Sequence, residues 1–310
     1  MRNVRITLAA LAIMMPADIQ AQEETPRPTL GGHTFIPNAI TEDPFINTWI
    51  HNRLGIGQAL NVETIPEFEI DTLTLGGERG NLIFAVLDLE YRQRVVDWLA
   101  LQGSIGIRAR LGDGLNTLLA QGISTDFAIT LKGLFRLRET DRTLLSGALK
   151  YEKDSFTVVD LLGWGRGLVS GEPVDLVQTR ESNRYGGDLR FAWAAVDWLG
   201  VSAMAGGRFG DNLEEEQDKE FFPTLGIAFD ADLYARTAVP LGVVLGYSQE
   251  SFPRATSDVA EAIRSFQIRL AYTGRDDFIL ALDSTVDRLP VTDGETLEAG
   301  TLLFHMRYYF

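Results

Sequence analysis

Apolar and polar residues alternate with a period of two through most of this chain, most cleanly at its end. Every second residue back from Phe310 (Tyr308, Met306, Phe304 and Leu302) is apolar or aromatic, while Tyr309, Arg307, His305, Leu303 and Thr301 form a mostly polar set. A period of two is that of a strand with two unlike faces. The same alternation predicts about twelve strands, an even number as in single-chain membrane barrels. They fall near residues 48–62, 81–92, 100–111, 124–138, 143–153, 185–196, 199–209, 221–231, 240–249, 264–274, 277–287 and 296–310. A last strand with aromatics along one side would be an aggregation-prone edge in a soluble domain. Paired with the first strand of a closed barrel, with lipid against its apolar row, it has no free edge.

The connections fall into two alternating sets. Those at residues 93–99, 139–142, 197–198, 232–239 and 275–276 are short; those at 63–80, 112–123, 154–184, 210–220, 250–263 and 288–295 are mostly longer. Short turns on one side and long loops on the other are the pattern of a transmembrane barrel. VDWLALQGSIGIRARLGD (96–113) and VDWLGVSAMAGGRFGD (196–211) form a near-repeat that opens on a short turn in each copy. Trp98 and Trp198 are thus expected at a membrane interface, where an indole is favoured. A duplication and a chance likeness of two hairpins explain the repeat equally well. PEFEIDTLTL (66–75) has its own alternation and either lengthens the first hairpin or adds a strand pair, which would make fourteen. Residues 22–47 are Pro-rich without a clear period, and read as a lead-in on the short-turn side or partly tucked into the lumen.

The final strand resembles the C-terminal assembly signal of bacterial outer-membrane β-barrels, through Phe304, Met306, Tyr308 and the terminal Phe310. The resemblance covers the tail alone. It implies insertion by the barrel assembly machinery, contact with outer-membrane lipids, and short turns facing the periplasm. The other end agrees. Arg2 and Arg5, the apolar run from Ile6 to Met15, and Ile19-Gln20-Ala21 before Gln22 follow the order of a cleavable export signal too short to span a bilayer. Residues 1–21 are therefore read as the leader, 22–47 as the lead-in and 48–310 as an all-β, transmembrane, antiparallel up-and-down barrel. No other run approaches the ~18 apolar residues of a helical span.

Composition narrows the function. With 28 basic and 43 acidic residues and a net charge of −15, the chain is a poor partner for nucleic acid. It has no cysteine, which removes disulfides and thiolate metal sites. Phasing each strand with its apolar row towards lipid gives outward rows such as Phe127, Ile129, Leu131; Leu225, Ile227, Phe229; and Phe266, Ile268, Leu270, Tyr272. Lys153, Arg264 and Glu298 share that parity only near strand ends. A midplane Arg or Lys facing lipid would cost about 2–4 kcal/mol. The inward rows hold Arg53, Arg92, Arg108, Arg110, Lys132, Arg136, Arg138, Lys150, Arg190, Arg208, Arg269 and Arg307 against Asp88, Glu90, Asp126, Glu152, Asp188, Asp230, Asp277, Asp283 and Asp287. Positive charges are in excess there. The candidate solute path is lined by Arg53, Arg108, Arg110, Lys132, Arg136, Arg190, Arg208, Arg269, Asp283, Asp287, His305 and Arg307, and would favour small anions. The opposing structural reading pairs these charges into a sealed interior, leaving the loops as the working surface.

Two loops stand out. SFTVVDLLGWGRGLVSGEPVDLV (155–177) is too apolar for an ordinary solvated loop, and either folds into the lumen as a constriction or packs on the rim. DNLEEEQDKE (211–220) reads as a solvated acidic face, with divalent-ion bridging to lipid phosphates as the alternative. Some barrel hydrolases work with histidines near the outer rim, but His33, His51 and His305 all fall elsewhere. His51 and His305 lie on the first and last strands and are expected as neighbours near Arg53 and Arg307, a polar closure seam rather than a metal site with Asp283. No G-x-S-x-G, P-loop or His-Glu-x-x-His motif is present. The expectation is a non-enzymatic outer-membrane channel or solute-binding barrel with no metal or cofactor.

Overall fold

The computed structural model describes residues 27–63, 68–70, 73–75, 79–112, 123–159, 175–211, 219–251, 262–290 and 296–310. In chain order the elements are β1 (Thr29–Leu30), β2 (His33–Thr34), β3 (Trp49–Glu63), β4 (Phe68–Ile70), β5 (Leu73–Leu75), β6 (Arg79–Val96), β7 (Leu99–Gly112) and β8 (Ile123–Glu139). They continue with β9 (Thr143–Val159), β10 (Val177–Val196), β11 (Leu199–Asp211), β12 (Lys219–Asp232), the one-turn helix α1 (Tyr234–Thr237), β13 (Leu241–Ser251), β14 (Ala262–Tyr272), β15 (Phe278–Pro290) and β16 (Thr296–Tyr309). β3 and β6 to β16 close into a twelve-stranded antiparallel barrel, each strand paired with its sequence neighbour. Closure runs from Tyr309↔Trp49 to Ala299↔Ala59, and Phe310 adds a bond from its N–H to the Thr48 carbonyl. β4 and β5 form a sheet of their own, so the count is twelve and not fourteen. The leader and most of the two unusual loops (160–174 and 212–218) lie outside the described residues. The described parts of the first of these are residues 155–159, which continue β9, and 175–177, which lead into β10.

The alternation determines which side chains meet which medium. Outward positions such as Leu54, Ile56, Leu87, Leu131, Leu149, Leu189, Leu225, Leu245, Ile268, Leu282 and Leu302 are exposed on every strand face of the barrel. A belt of this kind far exceeds the apolar patch a soluble monomer exposes, and belongs against hydrocarbon. The barrel strands have 11 to 20 residues. At about 3.3 Å per residue, tilted, that is enough to cross the roughly 25 Å apolar band of a membrane barrel. Outward charges sit near the long-loop ends and pair: Lys153 lies 2.8 Å from Glu181, and Arg288 lies 3.1 Å from Glu298.

Both halves of the near-repeat fold alike. Val96 pairs with Leu99 and Val196 with Leu199 around two-residue Asp-Trp turns, each after a bulge (between Arg94 and Val96, and between Ala194 and Val196). Trp98 stacks on Phe135 at 6.3 Å, and the Arg236 guanidinium lies 5.4 Å from the centre of the Trp198 ring. With Tyr91, Tyr308 and Phe310 these rings form an aromatic girdle at the short-turn end, the interface position expected of them.

Candidate functional site

The polar rows enclose a lumen whose short-turn half is filled by the chain's own N-terminal segment. Residues 27–48 are folded inside the barrel, with Leu30, Phe35, Ile36, Ile40 and Phe45 all buried. The segment enters on Arg27, which donates to the Thr273 carbonyl at 2.7 Å. The β1–β2 hairpin follows, and His33 Nε2 lies 2.6 Å from Asp230 Oδ1, which also accepts from the Ile36 N–H at 3.2 Å. Asn38 and Thr41 bond to Ser202 of β11 at 3.3 and 2.8 Å. Ser146 of β9 donates to the Pro44 carbonyl at 2.5 Å, and Arg269 of β14 donates to that of Pro37. A lead-in beneath the barrel would leave these inward polar groups in water; the described part instead caps them as a plug.

Close approach makes this fit possible. A Cβ on Gly226 of β12 would come within 2.5 Å of the Ile40 carbonyl oxygen, and one on Gly200 of β11 within 2.6 Å of His33 Nε2. These inward glycines leave room for the plug backbone.

Glu42 and Asp43 stand at the plug's centre. Glu42 Oε2 is 2.8 Å from Lys132 Nζ (β8) and 2.5 Å from Arg190 Nη2 (β10). Asp43 Oδ2 is 2.8 Å from Arg307 Nη1 (β16) and 3.6 Å from Arg92 Nη1 (β6). Arg92 donates to the Phe45 carbonyl at 2.8 Å, and Arg190 to that of Asp43 at 3.2 Å. Two adjacent carboxylates thus gather cations from four strands. Glu42 adopts φ of 52°, a left-handed conformation uncommon outside glycine. Burial pushes its carboxyl up, and Arg190, Lys132 and Lys150 outweigh that and hold it well below the usual carboxylate range. Trp49 lies between Arg307 and Arg92, whose guanidinium carbons are 4.1 and 4.8 Å from its ring centre. Beside the carboxylates is a polar cavity of about 100 Å³, with Arg53, Arg92, Lys132, Arg269 and Arg307 among its walls.

His51 and His305 meet as the strand positions imply, with Nε2 and Nδ1 3.1 Å apart and the rings stacked. His305 Nε2 lies 2.8 Å from Asp283, which Arg269 grips through two bonds of 2.5 and 2.6 Å. No group of three metal-ligating side chains occurs among the described residues.

The long-loop half is more open. Above the cavity, where Arg53 bonds to Glu90 at 2.6 Å, Arg208 pairs with Glu152 at 2.8 Å and with Glu250. Arg108 and Arg110 project from the inward row of β7 with no carboxylate within 4 Å among the described residues. Arg110 lies over the Phe156 ring at 5.3 Å, and Asp287 is within electrostatic reach of Arg108. Arg136 does not join them. A bulge between Arg136 and Arg138 ends the alternation, leaving Arg136 at the short-turn rim, 2.5 Å from Glu139. Asp277 likewise ends in the turn before β15, paired with Arg275 at 2.6 Å. Phe304, Met306, Tyr308 and Phe310 all face outward and are exposed.

The parity reading missed the most connected carboxylates of the lumen, because Glu42 and Asp43 lie in a segment without a period. The signal that could have found them is the glycine at inward positions of consecutive strands, Gly200, Gly226, Gly242 and Gly246, where no side chain fills the wall.

No family model and no curated protein matches this chain. Among solved structures it resembles an outer membrane channel from Pseudomonas putida F1, with 12% identity and a TM-score of 0.49 over 89% of this chain and all of the other. It also resembles the translocator domain of autotransporter NalP from Neisseria meningitidis, with 9% identity and a TM-score of 0.48 over 86% of this chain and 90% of the other. A third is the KdgM porin in complex with disordered oligogalacturonate, with 11% identity and a TM-score of 0.41 over 84% and 99%. At TM-scores below 0.5 none of them carries a functional argument.

Proposed function

We propose that this protein is an outer-membrane channel for small anionic solutes, entered from the long-loop side. The observation that carries this reading is the pair Arg108 and Arg110, which make no ion pair within 4 Å among the described residues and lead down to Lys132, Arg190, Arg92 and Arg307. Asp126, Asp88 and Asp287 reach these arginines only at longer range, and guanidinium groups not engaged in direct ion pairs along a water-accessible path favour anions. The short-turn end faces the periplasm, residues 1–21 are removed on export, and the strand ending at Phe310 is what the barrel assembly machinery engages. Catalysis is not part of the proposal. Reversal potentials of the purified protein in planar bilayers test the reading: anion preference should fall towards unity in the Arg108→Gln/Arg110→Gln variant. A selectivity that ignores both substitutions overturns it.

The plug itself favours a second reading, a sealed barrel whose loops carry the function. A wild-type barrel that passes no current at any potential, with or without dicarboxylates present, supports that alternative.

A further inference from the structure

The plug's charges are not needed to seal the barrel. A buried ion pair contributes about as much stability as well-packed apolar groups of the same volume, or less. An apolar segment would close the lumen equally well, and the plug already buries Phe35, Ile36 and Ile40 elsewhere. Yet its centre presents two neighbouring carboxylates to Lys132, Arg190, Arg92 and Arg307. The wall cations were built in advance for negative charge. They come from four separate strands, and Arg190 has its own wall carboxylate, Asp188, at 2.5 Å. The polar cavity opens on three of these cations, Lys132, Arg92 and Arg307, and Arg307 Nε, on a side chain only 7% exposed, has no hydrogen-bond partner among the described residues. The left-handed Glu42 is where the chain is bent to deliver its carboxylate.

We infer that Lys132, Arg190, Arg92 and Arg307 form a binding site for a small dicarboxylate, and that Glu42 and Asp43 are its tethered stand-in, yielded when such a solute enters. The inference rests on the channel reading for the solute's route. Exchange conserves charge, since two carboxylates leave the cations as two arrive. Closure is then autoinhibitory: the plug holds the site by its high effective concentration and a free anion competes with it.

Calorimetric titration of the purified protein with succinate, and with neutral succinamide as control, tests this. The Glu42→Gln/Asp43→Asn variant should bind succinate about tenfold more tightly than wild type, without any gain for succinamide. Adding Lys132→Met should remove most of that gain. Thr41→Cys/Ser202→Cys places two thiols where the hydroxyls now stand 2.8 Å apart, in a chain without other cysteines. Oxidation should lock the plug and abolish succinate binding, and reduction should restore it. This pair keeps the test open if the charge variant does not fold. Equal affinity in wild type and charge variant, a gain shared by succinamide, or a lock without effect overturns the inference. Bilayer currents separate it from the channel reading: binding gained without current sinks the channel and keeps the site, whereas current without gained binding does the reverse.

Discussion

The two halves of the lumen use the same residue types to opposite ends. In the short-turn half Arg92, Arg190, Arg269 and Arg307 each find a carboxylate or carbonyl of the plug, and the first three side chains are almost fully buried. In the long-loop half Arg108 and Arg110 are accessible and lack acidic partners within 4 Å among the described residues. Identical parity on the same kind of strand gives a sealed network in one place and a hydrated, charged wall in the other. The difference lies in what the N-terminal segment brings to it.

The contrast breaks most severely at Arg190. Its removal leaves Glu42 with Lys132 alone and Asp188 with Lys150 at 3.9 Å, two carboxylates sharing too few cations in the buried half. Breaking a buried pair by deleting one partner costs about 3–5 kcal/mol. Arg190→Ala should therefore lose that much in urea unfolding of the refolded barrel, and a loss below about 1 kcal/mol would mean that solvent reaches the cluster. A Cβ-bearing wall should act next. Gly226→Val drives a side chain into the Ile40 carbonyl, and overpacking of this kind costs about 1–3 kcal/mol. Because the plug can leave, the visible result should be raised conductance and protease cleavage within 27–47, with the barrel itself intact. A variant with an unaltered, protected plug would show that the wall moves instead.

Acid should sharpen the comparison more gently. The folded-state carboxyl of Glu42 is held below the usual carboxylate range, so its contribution is fully present above the unfolded value and is lost as pH falls through the folded one. The charges facing it are Lys132, Arg190, Lys150, Arg92 and Arg53, with Asp43 and Asp188 sharing them. The difference in midpoint between wild type and Glu42→Gln should hold from neutral pH down to the ordinary carboxylate range, then shrink progressively below it as pH falls towards the folded value. A gap that closes near pH 5 would place Glu42 in water.

The strand pattern was legible because hydrocarbon and lumen impose one period over every crossing, and that period survives without knowledge of the neighbours. Lys132, Arg190, Arg269 and Arg307 could be placed inward from parity alone, and His51 beside His305 from the closure of first strand on last. The plug could not be read in this way. Residues 27–48 are held by contacts with strands distant in sequence, as when Asp43 meets Arg307, and such contacts leave no local period. Arg138 departs from parity for a related reason: Arg136 still pairs with buried Ser146, whereas Arg138, past a bulge, pairs with Leu145. A bulge shifts the register by one residue, and after such a slip parity assigns the wrong face.

The smallest effect is expected where the lumen is open. Arg110 has a cation–π contact with Phe156 and no ion pair, and such a contact at an accessible site contributes about 0.5–1 kcal/mol. Asp126 attracts Arg110 at longer range, and Arg108, two residues along the same inward row, repels it. Arg110→Gln loses the ring contact and the attraction of Asp126 and relieves the repulsion of Arg108, so unfolding midpoints should barely move, within about 0.5 kcal/mol. The same substitution removes a charge from the proposed path, so anion preference should fall while stability holds. If Arg110→Gln destabilises the barrel as Arg190→Ala does, the long-loop half is as tightly packed as the plugged one, and the division of the lumen into a sealed and a hydrated part is wrong.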